Sequence, residues 1–402
     1  MSDPNKVIEY TRSAPLLVGL LALLSLASPY SRCAVADDAA TVIEKSGFSG
    51  GLVVHVGCGN GDLLTHIAAG GNVLAQGLVR APQALPQARE KLLRDRRYGQ
   101  VSLRTWQPPY LPYVDNLVNL LVIEPGAQLP TPEVLRVLAP GGVACTREGT
   151  TWRAINKEVP DQIDEWTHYL HDATGNPVAQ DDLVAPPEHL QWVGNPRWSR
   201  HHDRMASMSA LVSSGGRVVY IMDEGSRAII QLPPKWKVIA RDAFNGTVLW
   251  KRDIAEWHFH LWGLKSGPAD LTRRLVAIGD RVFVTLGIRA PVSILDAATG
   301  RTVTECEQTE GAEDIIVSDG VLFAVVNPAA KPDHDPFVPD RSGTWNDTKT
   351  LGRTRGWDEQ PRRMTAVDAN SGKLLWQYET PVAPMTPAAD SVRLYLHDGR
   401  AV

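Results

Sequence analysis

Hydrophobic residues follow one rhythm in the first part of the chain and a different one in the rest. Up to about residue 150, short apolar runs alternate with segments in which apolar residues recur at helical spacing. The runs predict buried strands and the spaced segments predict helices. Strands are expected at 52–56, 73–79, 101–103 and 117–123, and helices at 62–69, 85–92 and 132–138. This alternation predicts a doubly wound α/β domain with a parallel sheet.

From about residue 196 the chain repeats a unit of two strands joined by the motif Asp-Ala-x-x-Gly. The copies are Val238–Trp250, Val292–Thr304 and Met364–Trp376. The glycine supplies the positive φ that a tight hairpin turn requires. A second type of hairpin lies between the copies, so each repeat has four antiparallel strands, which predicts the blades of a β-propeller. A Trp closes the second strand in two copies and is expected to pack against the neighbouring repeat.

The number of hairpins is too small for a closed ring. Four of one type and three of the other make about three and a half blades, whereas a propeller needs at least four. The sequence is therefore expected to be truncated, with missing blades covering the open sheet edges. The Pro-, Asp- and Arg-rich segment 327–363 separates paired strands and is expected to project as a loop.

The first 36 residues have the features of a signal peptide. Lys6 and Arg12 precede an apolar run, Ala14–Ala27, and Ala34-Val35-Ala36 fits the small-x-small cleavage pattern. The run is shorter than the roughly 20 residues of a membrane span, although an uncleaved anchor is the alternative. We expect a periplasmic or otherwise exported protein with no other membrane segment. The predicted organisation is a signal peptide at 1–36, an α/β domain at 37–150, a junction at 151–195 and propeller repeats at 196–402.

Composition fits a folded two-domain protein and narrows its partners. The 402 residues include 41 Lys+Arg and 45 Asp+Glu, a net charge of −4, and 43% are hydrophobic. This balance gives no support to nucleic-acid binding, which normally needs a basic surface. Beyond the predicted signal, Cys58, Cys145 and Cys306 lack the CxxC spacing of a metal or redox site. A Cys58–Cys145 disulfide stays open as an alternative.

A glycine loop follows the first predicted strand at once. Gly57, Gly59 and Gly61 lie in VGCGNG, which LPYVDNLVNLLV and VLRVLAPGGVA follow in order. Over roughly 45–150 this resembles the class I S-adenosylmethionine (SAM)-dependent methyltransferases. The resemblance implies that the loop contacts SAM, and that acidic residues at strand ends bind its ribose, adenine and sulfonium groups.

The acidic positions of that family are filled by other residues. They fall on His55, Val79, Gln107 and Asn119. Each lost charge-assisted hydrogen bond removes roughly 1.5–3 kcal/mol of binding, and the methyl donor is a cytosolic metabolite. We therefore expect a degenerate domain kept for structure or binding, with the three glycines as a vestige of the SAM loop. An active methyltransferase is the alternative.

The Asp-Ala-x-x-Gly repeat resembles the pyrroloquinoline quinone (PQQ)-like propeller of quinoproteins, over roughly 190–402. Together with the α/β domain, it resembles a family of exported bacterial fusion proteins. In quinone-binding members the resemblance implies a vicinal cysteine pair, a tryptophan floor and a Glu/Asn/Asp calcium site, and this sequence has no Cys-Cys pair. We expect an exported binding or scaffold protein with a protein or small-molecule ligand on the propeller face. A quinoprotein-type dehydrogenase is the enzymatic alternative.

Three histidine pairs are the remaining candidates for chemistry. His258 and His260 would face the same side of a strand, where they could bind a metal or form hydrogen bonds at the propeller rim. His201 and His202 form a second group. His168 and His171 are expected one helical turn apart, where they could share a metal or simply pack.

Overall fold

A computed structural model describes residues 29–183, 186, 190–196, 200, 207–229, 231–258, 260, 269–328 and 360–399, with side chains from Ala34 onward. The α/β domain contains four helices and six strands. The helices are α1 (Pro29–Ser46), α2 (Asp62–Ile67), α3 (Leu85–Arg94) and α4 (Thr131–Val137). The strands are β1 (Gly51–Val56), β2 (Val73–Val79), β3 (Val101–Thr105), β4 (Val118–Ile123), β5 (Leu138–Glu148) and β6 (Thr151–Asn156).

The six strands form one sheet in the order β3-β2-β1-β4-β5-β6. The first five are parallel, and β6 pairs antiparallel with β5. Helices cover both faces, because α1, α2 and α3 contribute to one apolar cluster and α4 to the other. This confirms the doubly wound prediction. The sheet continues to Asn156, past the expected boundary at 150.

The repeat half forms three four-stranded antiparallel sheets. Blade 1 is β7 (Met208–Ser214), β8 (Arg217–Asp223), β9 (Trp236–Asp242) and β10 (Val248–Asp253). Blade 2 is β11 (Leu275–Ile278), β12 (Arg281–Thr285), β13 (Val292–Asp296) and β14 (Thr302–Cys306). Blade 3 is β15 (Ala312–Ser318), β16 (Val321–Val326), β17 (Pro361–Asp368) and β18 (Leu374–Pro381), and β19 (Ala388–Ala389) with β20 (Leu394–Tyr395) begins a further sheet. Most of the predicted loop at 327–363 lies outside the described residues.

The first strands of successive sheets lie side by side at the centre of the repeat half. β7 contacts β11, β11 contacts β15, and β15 contacts β19. Because strand order within each sheet runs outward from its first strand, the sheets radiate from this centre as propeller blades do.

A stretch of the junction, residues 164–175, lies against this centre, and we call it the axial segment. The carbonyl of Trp166 accepts from Ser213 N of β7 at 2.7 Å, and that of Thr167 accepts from Ala277 N of β11 at 3.0 Å. Further along, the carbonyl of Ala173 accepts from the amide of Ala389 in β19 at 2.8 Å. The junction predicted as a connector therefore binds several blades at once.

Each Asp-Ala-x-x-Gly turn is closed by its aspartate. In blade 2, Asp296 Oδ1 accepts from Thr299 Oγ1 at 2.6 Å, and in blade 3 Asp368 Oδ1 accepts from Ser371 Oγ at 2.7 Å. These hydroxyl bonds come first among the causes that lower the pKa of both aspartates. The turn of blade 1 has Asn245 at the corresponding position, and this residue bonds elsewhere.

Asn245 joins the two domains. Its Nδ2 donates to the carbonyl of Leu117 at 3.0 Å and to Asn119 Oδ1 at 2.7 Å. Asn119 Nδ2 in turn donates to Asp242 Oδ2 at 2.7 Å. Burial at this contact raises the pKa of Asp242 although the Asn119 hydrogen bond opposes the rise. The blade 1 turn thus docks on the α/β sheet at the end where strand β4 begins.

Trp192 adds to the same contact from the junction. Its indole nitrogen donates to the carbonyl of Ala243 at 2.8 Å, and a Cβ on Gly246 would collide with its ring. Trp250 makes the equivalent contact with blade 2 through the carbonyl of Ala297, also at 2.8 Å. The expected packing of the strand-closing Trp on a neighbouring repeat is confirmed for Trp250.

The N-terminal helix packs on the sheet. α1 includes the predicted cleavage pattern at 34–36, and Asp38 beyond it bonds Arg147 at 2.6 Å and Trp152 at 3.2 Å. Signal cleavage stays a prediction. No helix among the described residues is long and apolar enough to span a membrane.

The variant Asn245→Thr tests the interdomain contact. Thr can close its own turn as in blades 2 and 3, but it cannot reach Leu117 and Asn119, so about 1–3 kcal/mol of docking should be lost. We expect thermal unfolding of the wild type in one transition and of the variant in two, by calorimetry. The reciprocal change Thr299→Asn in blade 2 is the control and should leave one transition. A single, unshifted transition in both variants would contradict this role of Asn245.

Candidate functional site

The first candidate site lies at the carboxyl ends of β1, β2 and β4. Strand order reverses between β1 and β4, and ligands of doubly wound folds bind at such a switch point. The glycine loop, residues 57–61, follows β1 directly and precedes α2. The glycine loop therefore lies at the edge where doubly wound folds bind ligands.

The three glycines of this loop are required by its own backbone. Gly57, Gly59 and Gly61 have φ of 80°, 56° and 82°, values that side-chain-bearing residues rarely adopt. A Cβ on Gly57 would also lie 3.1 Å from Glu124 Cβ. The glycines are therefore explained by the turn itself, and their presence does not require a cofactor.

A row of hydrogen-bonded polar side chains lies beside the loop. His55 Nε2 lies 3.1 Å from Glu124 Oε1, and Arg147 Nε donates to Glu124 Oε2 at 2.9 Å. Arg147 continues the row to Asp38 of α1. Burial opposes ionisation of Glu124, but His55 and Arg147 together hold its pKa below the ordinary value. The carboxylate nearest the glycine loop is thus already bound by residues of the chain.

Arg80 bridges the two strands on either side of β1. It follows β2 directly, and its Nη2 donates to the carbonyl of Ala127, beyond β4, at 2.7 Å. Its guanidinium carbon lies 5.6 Å from the ring centroid of Trp106. A cation therefore stands beside Val79, at the end of the strand where the methyltransferase family has an acid.

One acidic position was assigned to the wrong place. Asn119 lies near the start of β4, where its Oδ1 accepts from Leu52 N at 2.7 Å. The glycine loop follows the carboxyl end of β1, and β4 runs parallel to β1. Asn119, at the amino end of β4, therefore lies at the opposite end of the strands from the loop. The prediction for Asn119 is wrong because it relies on the motif spacing of the family, although the predicted strand at 117–123 already places this residue near the beginning of the strand. Asn119 serves the interdomain contact.

Cys58 and Cys145 do not form the disulfide that the sequence leaves open as an alternative. Cys58, Cys145 and Cys306 are free and buried. Burial raises the pKa of the Cys58 thiol to about 12 and that of the other two to about 11. Because the thiolate is the nucleophile, these groups are inert packing residues at neutral pH.

The second candidate site is the axial segment. The spacing of His168 and His171 predicts a helix, and this is wrong. The two residues pair with each other as an antiparallel bridge. His171 Nε2 lies 2.7 Å from Asp164 Oδ2 and its Nδ1 lies 3.3 Å from Asp172 Oδ2. A sequence reading missed this because a turn with positive φ at His171 breaks the helical spacing.

His168 is a structural acceptor. Its Nε2 accepts from Val317 N of β15 at 3.1 Å, and its Nδ1 lies 2.8 Å from Thr167 Oγ1. Burial lowers the pKa of this ring to about 4, so it is neutral at physiological pH and can accept. The two histidines therefore have separate partners and do not converge on a metal.

The other metal candidates do not form a site in the described part of the chain. His258 and His260 are buried, but they lie in the loop after β10 and not on a strand, so the expected strand geometry is wrong. His201 and His202 lie outside the described residues. No group of three or more His, Cys, Asp or Glu residues that could hold a metal occurs among those described.

A groove of about 850 Å³ lies between the domains, beside the docked turn. Its walls include Asn72 and Leu74 of the α/β domain and Glu224, Asn245 and Lys251 of blade 1. Lys251 Nζ donates to Glu224 Oε1 at 2.6 Å, so these charges are balanced within the wall. The volume is in the range of small-molecule sites, which often lie at domain interfaces.

A family model described as outer membrane protein assembly factor BamB matches residues 191–329 and 257–402. The matches overlap and together cover more than half of the 402 residues. The chain belongs to this family. The BamB-type repeats coincide with blades 1 to 3 and with the sheet that β19 and β20 begin, which confirms the predicted propeller-repeat resemblance.

Several solved structures are similar to the α/β domain. A putative SAM-dependent methyltransferase from Methanococcus maripaludis is 18% identical, with 28% of this chain and 55% of that chain covered and a TM-score of 0.27. A SAM-dependent methyltransferase from Aquifex aeolicus is 20% identical, with 30% of this chain and 66% of that chain covered and a TM-score of 0.27. The [4+2]-cyclase SpnF is 23% identical, with 28% of this chain and 46% of that chain covered and a TM-score of 0.26. The chain thus spans about half to two thirds of these proteins. No curated protein matches the sequence.

Acid sensitivity tests the role of His168. Because its folded pKa of about 4 lies below the unfolded value near 6.5, the unfolded chain gains a proton first as the pH falls. Stability should therefore drop between pH 6.5 and 4, by on the order of 3 kcal/mol, and then level off. His168→Gln keeps an acceptor for Val317 without titrating, so its urea-unfolding free energy should lose about 2–3 kcal/mol less over this range. Equal losses in both proteins would contradict the assignment.

Proposed function

We propose that this chain is an exported binding or scaffold protein in which a degenerate methyltransferase-like domain is held against BamB-type repeats. The observation that carries the proposal is the axial segment. Its backbone and the His168 side chain accept hydrogen bonds from the first strands of the sheets, and the His171 side chain bonds Asp164 within the segment. The family description, an assembly factor, also favours a role in binding other proteins.

The crevice of the α/β domain does not fit SAM. SAM carries a positive sulfonium, and the methyltransferase family meets it with acids at strand ends. Here Arg80 stands at the end of β2, and the Glu124 carboxylate is held by His55 and Arg147. Like charge and occupied acceptors both disfavour a cationic cofactor.

The repeats do not fit PQQ either. The sequence has no vicinal cysteine pair, and the described residues contain no acidic cluster for calcium. The axial side of β15 is occupied, because Val317 N donates to His168. We therefore derive no redox step for this chain.

A scaffold requires that its two domains be held in a fixed position relative to each other. The docked turn of blade 1 uses Asn245 and Asp242, and Trp192 seals it. Gln191 adds a bond from its Nε2 to the carbonyl of Asp115 at 3.0 Å. We propose that these contacts present the interdomain groove, lined by both domains, to a small-molecule or protein ligand outside the cytoplasm.

Calorimetric titration of the full chain with SAM tests the degenerate domain. We expect no binding tighter than about 100 µM, equivalent to roughly −5.5 kcal/mol. The matched variant Arg80→Asp restores a carboxylate at the end of β2, and any residual affinity should rise in it. Tight binding by the wild type, lost in Arg80→Asp, would overturn the proposal in favour of an active methyltransferase.

A titration with PQQ and calcium tests the enzymatic alternative for the repeats. Because the chain's own residues occupy the axial position, we expect neither binding heat nor dye-linked alcohol oxidation. Saturable PQQ binding would favour the dehydrogenase, and it would leave the result for the α/β domain unchanged.

A further inference from the structure

The position just before the aspartate of each Asp-Ala-x-x-Gly turn belongs to the core in two of the blades. Leu295 occupies it in blade 2 and Val367 in blade 3, and both are fully buried in apolar clusters. Blade 1 has Arg241 there, at the same register, because Arg241 lies opposite Val218 as Leu295 lies opposite Val282. A guanidinium at a core position of a repeat breaks the local pattern, and such departures occur at functional sites.

The hydrogen-bond partners of the Arg241 side chain in the described chain are all neutral. Its Nε donates to the hydroxyl of Tyr220 at 2.7 Å, its Nη1 to the carbonyl of Gly246 at 2.7 Å, and its Nη2 to the carbonyl of Asn195. Arg241 is only 6% exposed. Because a guanidinium has five N–H groups, two of them have no acceptor among the described residues.

Three other buried arginines each have a carboxylate beside them. The pairs are Arg200 with Asp223 at 2.8 Å, Arg273 with Asp314 at 2.6 Å and Arg362 with Glu313 at 2.8 Å. Within the described ranges no carboxylate forms an ion pair with Arg241. Since buried cations are almost always paired with an anion, a counterion from outside these residues fits Arg241.

Arg241 lines the interdomain groove, and the charges of the groove wall are not balanced. The charged wall residues are Arg200, Arg227, Arg241, Lys251, Asp223 and Glu224. Both carboxylates are held in ion pairs, one with Arg200 and one with Lys251. Four cations and two carboxylates leave two positive charges on this wall, in a chain whose net charge is −4.

We propose that the interdomain groove binds a small molecule through an oxyanion group, a carboxylate or a phosphate, that lies against Arg241. The exposed Arg227 of the same wall is the second cationic contact. The groove volume of about 850 Å³ suits a small molecule. This inference rests on the proposed function, because it names the ligand class of the groove that the two docked domains form.

The test is a methyl NMR titration of the full chain with two probes, citrate for carboxylates and inorganic phosphate for phosphates, at constant ionic strength set with chloride. Leu74 of the α/β domain and Val193 and Val248 of the other wall line the groove. We expect their methyl resonances to shift saturably with at least one probe, with a dissociation constant below about 1 mM. The methyls of Leu322, buried in blade 3, should stay unchanged.

Three variants locate the binding charge. Arg241→Leu introduces the residue of blade 2 and should weaken binding at least about tenfold, as the loss of a charge-assisted hydrogen bond does. Arg227→Gln, at an exposed position, should weaken it about threefold. The matched control is Arg301→Gln, which removes the same charge from an exposed position of blade 2 and should leave the affinity unchanged.

The proposal is overturned if neither probe shifts the groove methyls up to about 10 mM, a range that includes millimolar binding. Unchanged affinity in a folded Arg241→Leu protein also overturns it. If Arg241→Leu does not fold, Arg227→Gln decides, and equal affinities in Arg227→Gln and Arg301→Gln overturn the proposal. Calorimetric unfolding of the wild type separates the two proposals: a single transition without anion binding refutes the ligand class alone, whereas two transitions refute the fixed arrangement of the domains.

Discussion

The unpaired backbone of the first strands is the constraint on which the repeat half depends. The first strand of each blade pairs with the second strand on one side only. The amides on its other side face the centre of the repeat half and have no partner within the sheet. Buried amides need acceptors. The axial segment supplies them in sequence, since Trp166, Thr167, His168 and Ala173 each accept from a different first strand.

This arrangement explains why a junction between two domains is so rich in hydrogen bonds. A connector could run over the surface with few contacts. This one bonds four sheets between Trp166 and Ala173, and the junction then contributes Trp192 to the docking of blade 1 on the α/β domain. The same arrangement removes space at the place where a propeller would hold an axial cofactor. This is the ground on which we propose structure and binding, rather than catalysis, for this half of the chain.

The local patterns of the sequence predicted most of the fold. Apolar runs located β1 to β4 within two residues at each end, and the Asp-Ala-x-x-Gly motif located every third-to-fourth-strand hairpin described, because a positive-φ glycine and a capping aspartate act over a few residues. The glycine loop was found for the same reason. Its glycines nevertheless serve its own backbone, and no sequence spacing reveals that Arg80 reaches Ala127 across the end of β1.

Contacts between distant residues escaped prediction. The sequence predicts a cofactor position at Asn119, since its partners, Asp242 and Asn245, lie more than a hundred residues away and leave no local signal. The axial role of residues 164–175 depends on amides in three blades and in β19, none of which has a sequence signal. The departure of Asn245 from the Thr or Ser of the other turns was visible in the sequence, and that substitution marks the interdomain contact.

The most direct test of the central arrangement is amide hydrogen exchange of the intact chain, read residue by residue. If the axial segment closes the centre of the blades, the amides of Ser213, Ala277, Val317 and Ala389 should exchange as slowly as the paired amides inside β8 and β12. Exchange of these four amides at the rate of exposed loops, with β8 and β12 still protected, would contradict the account.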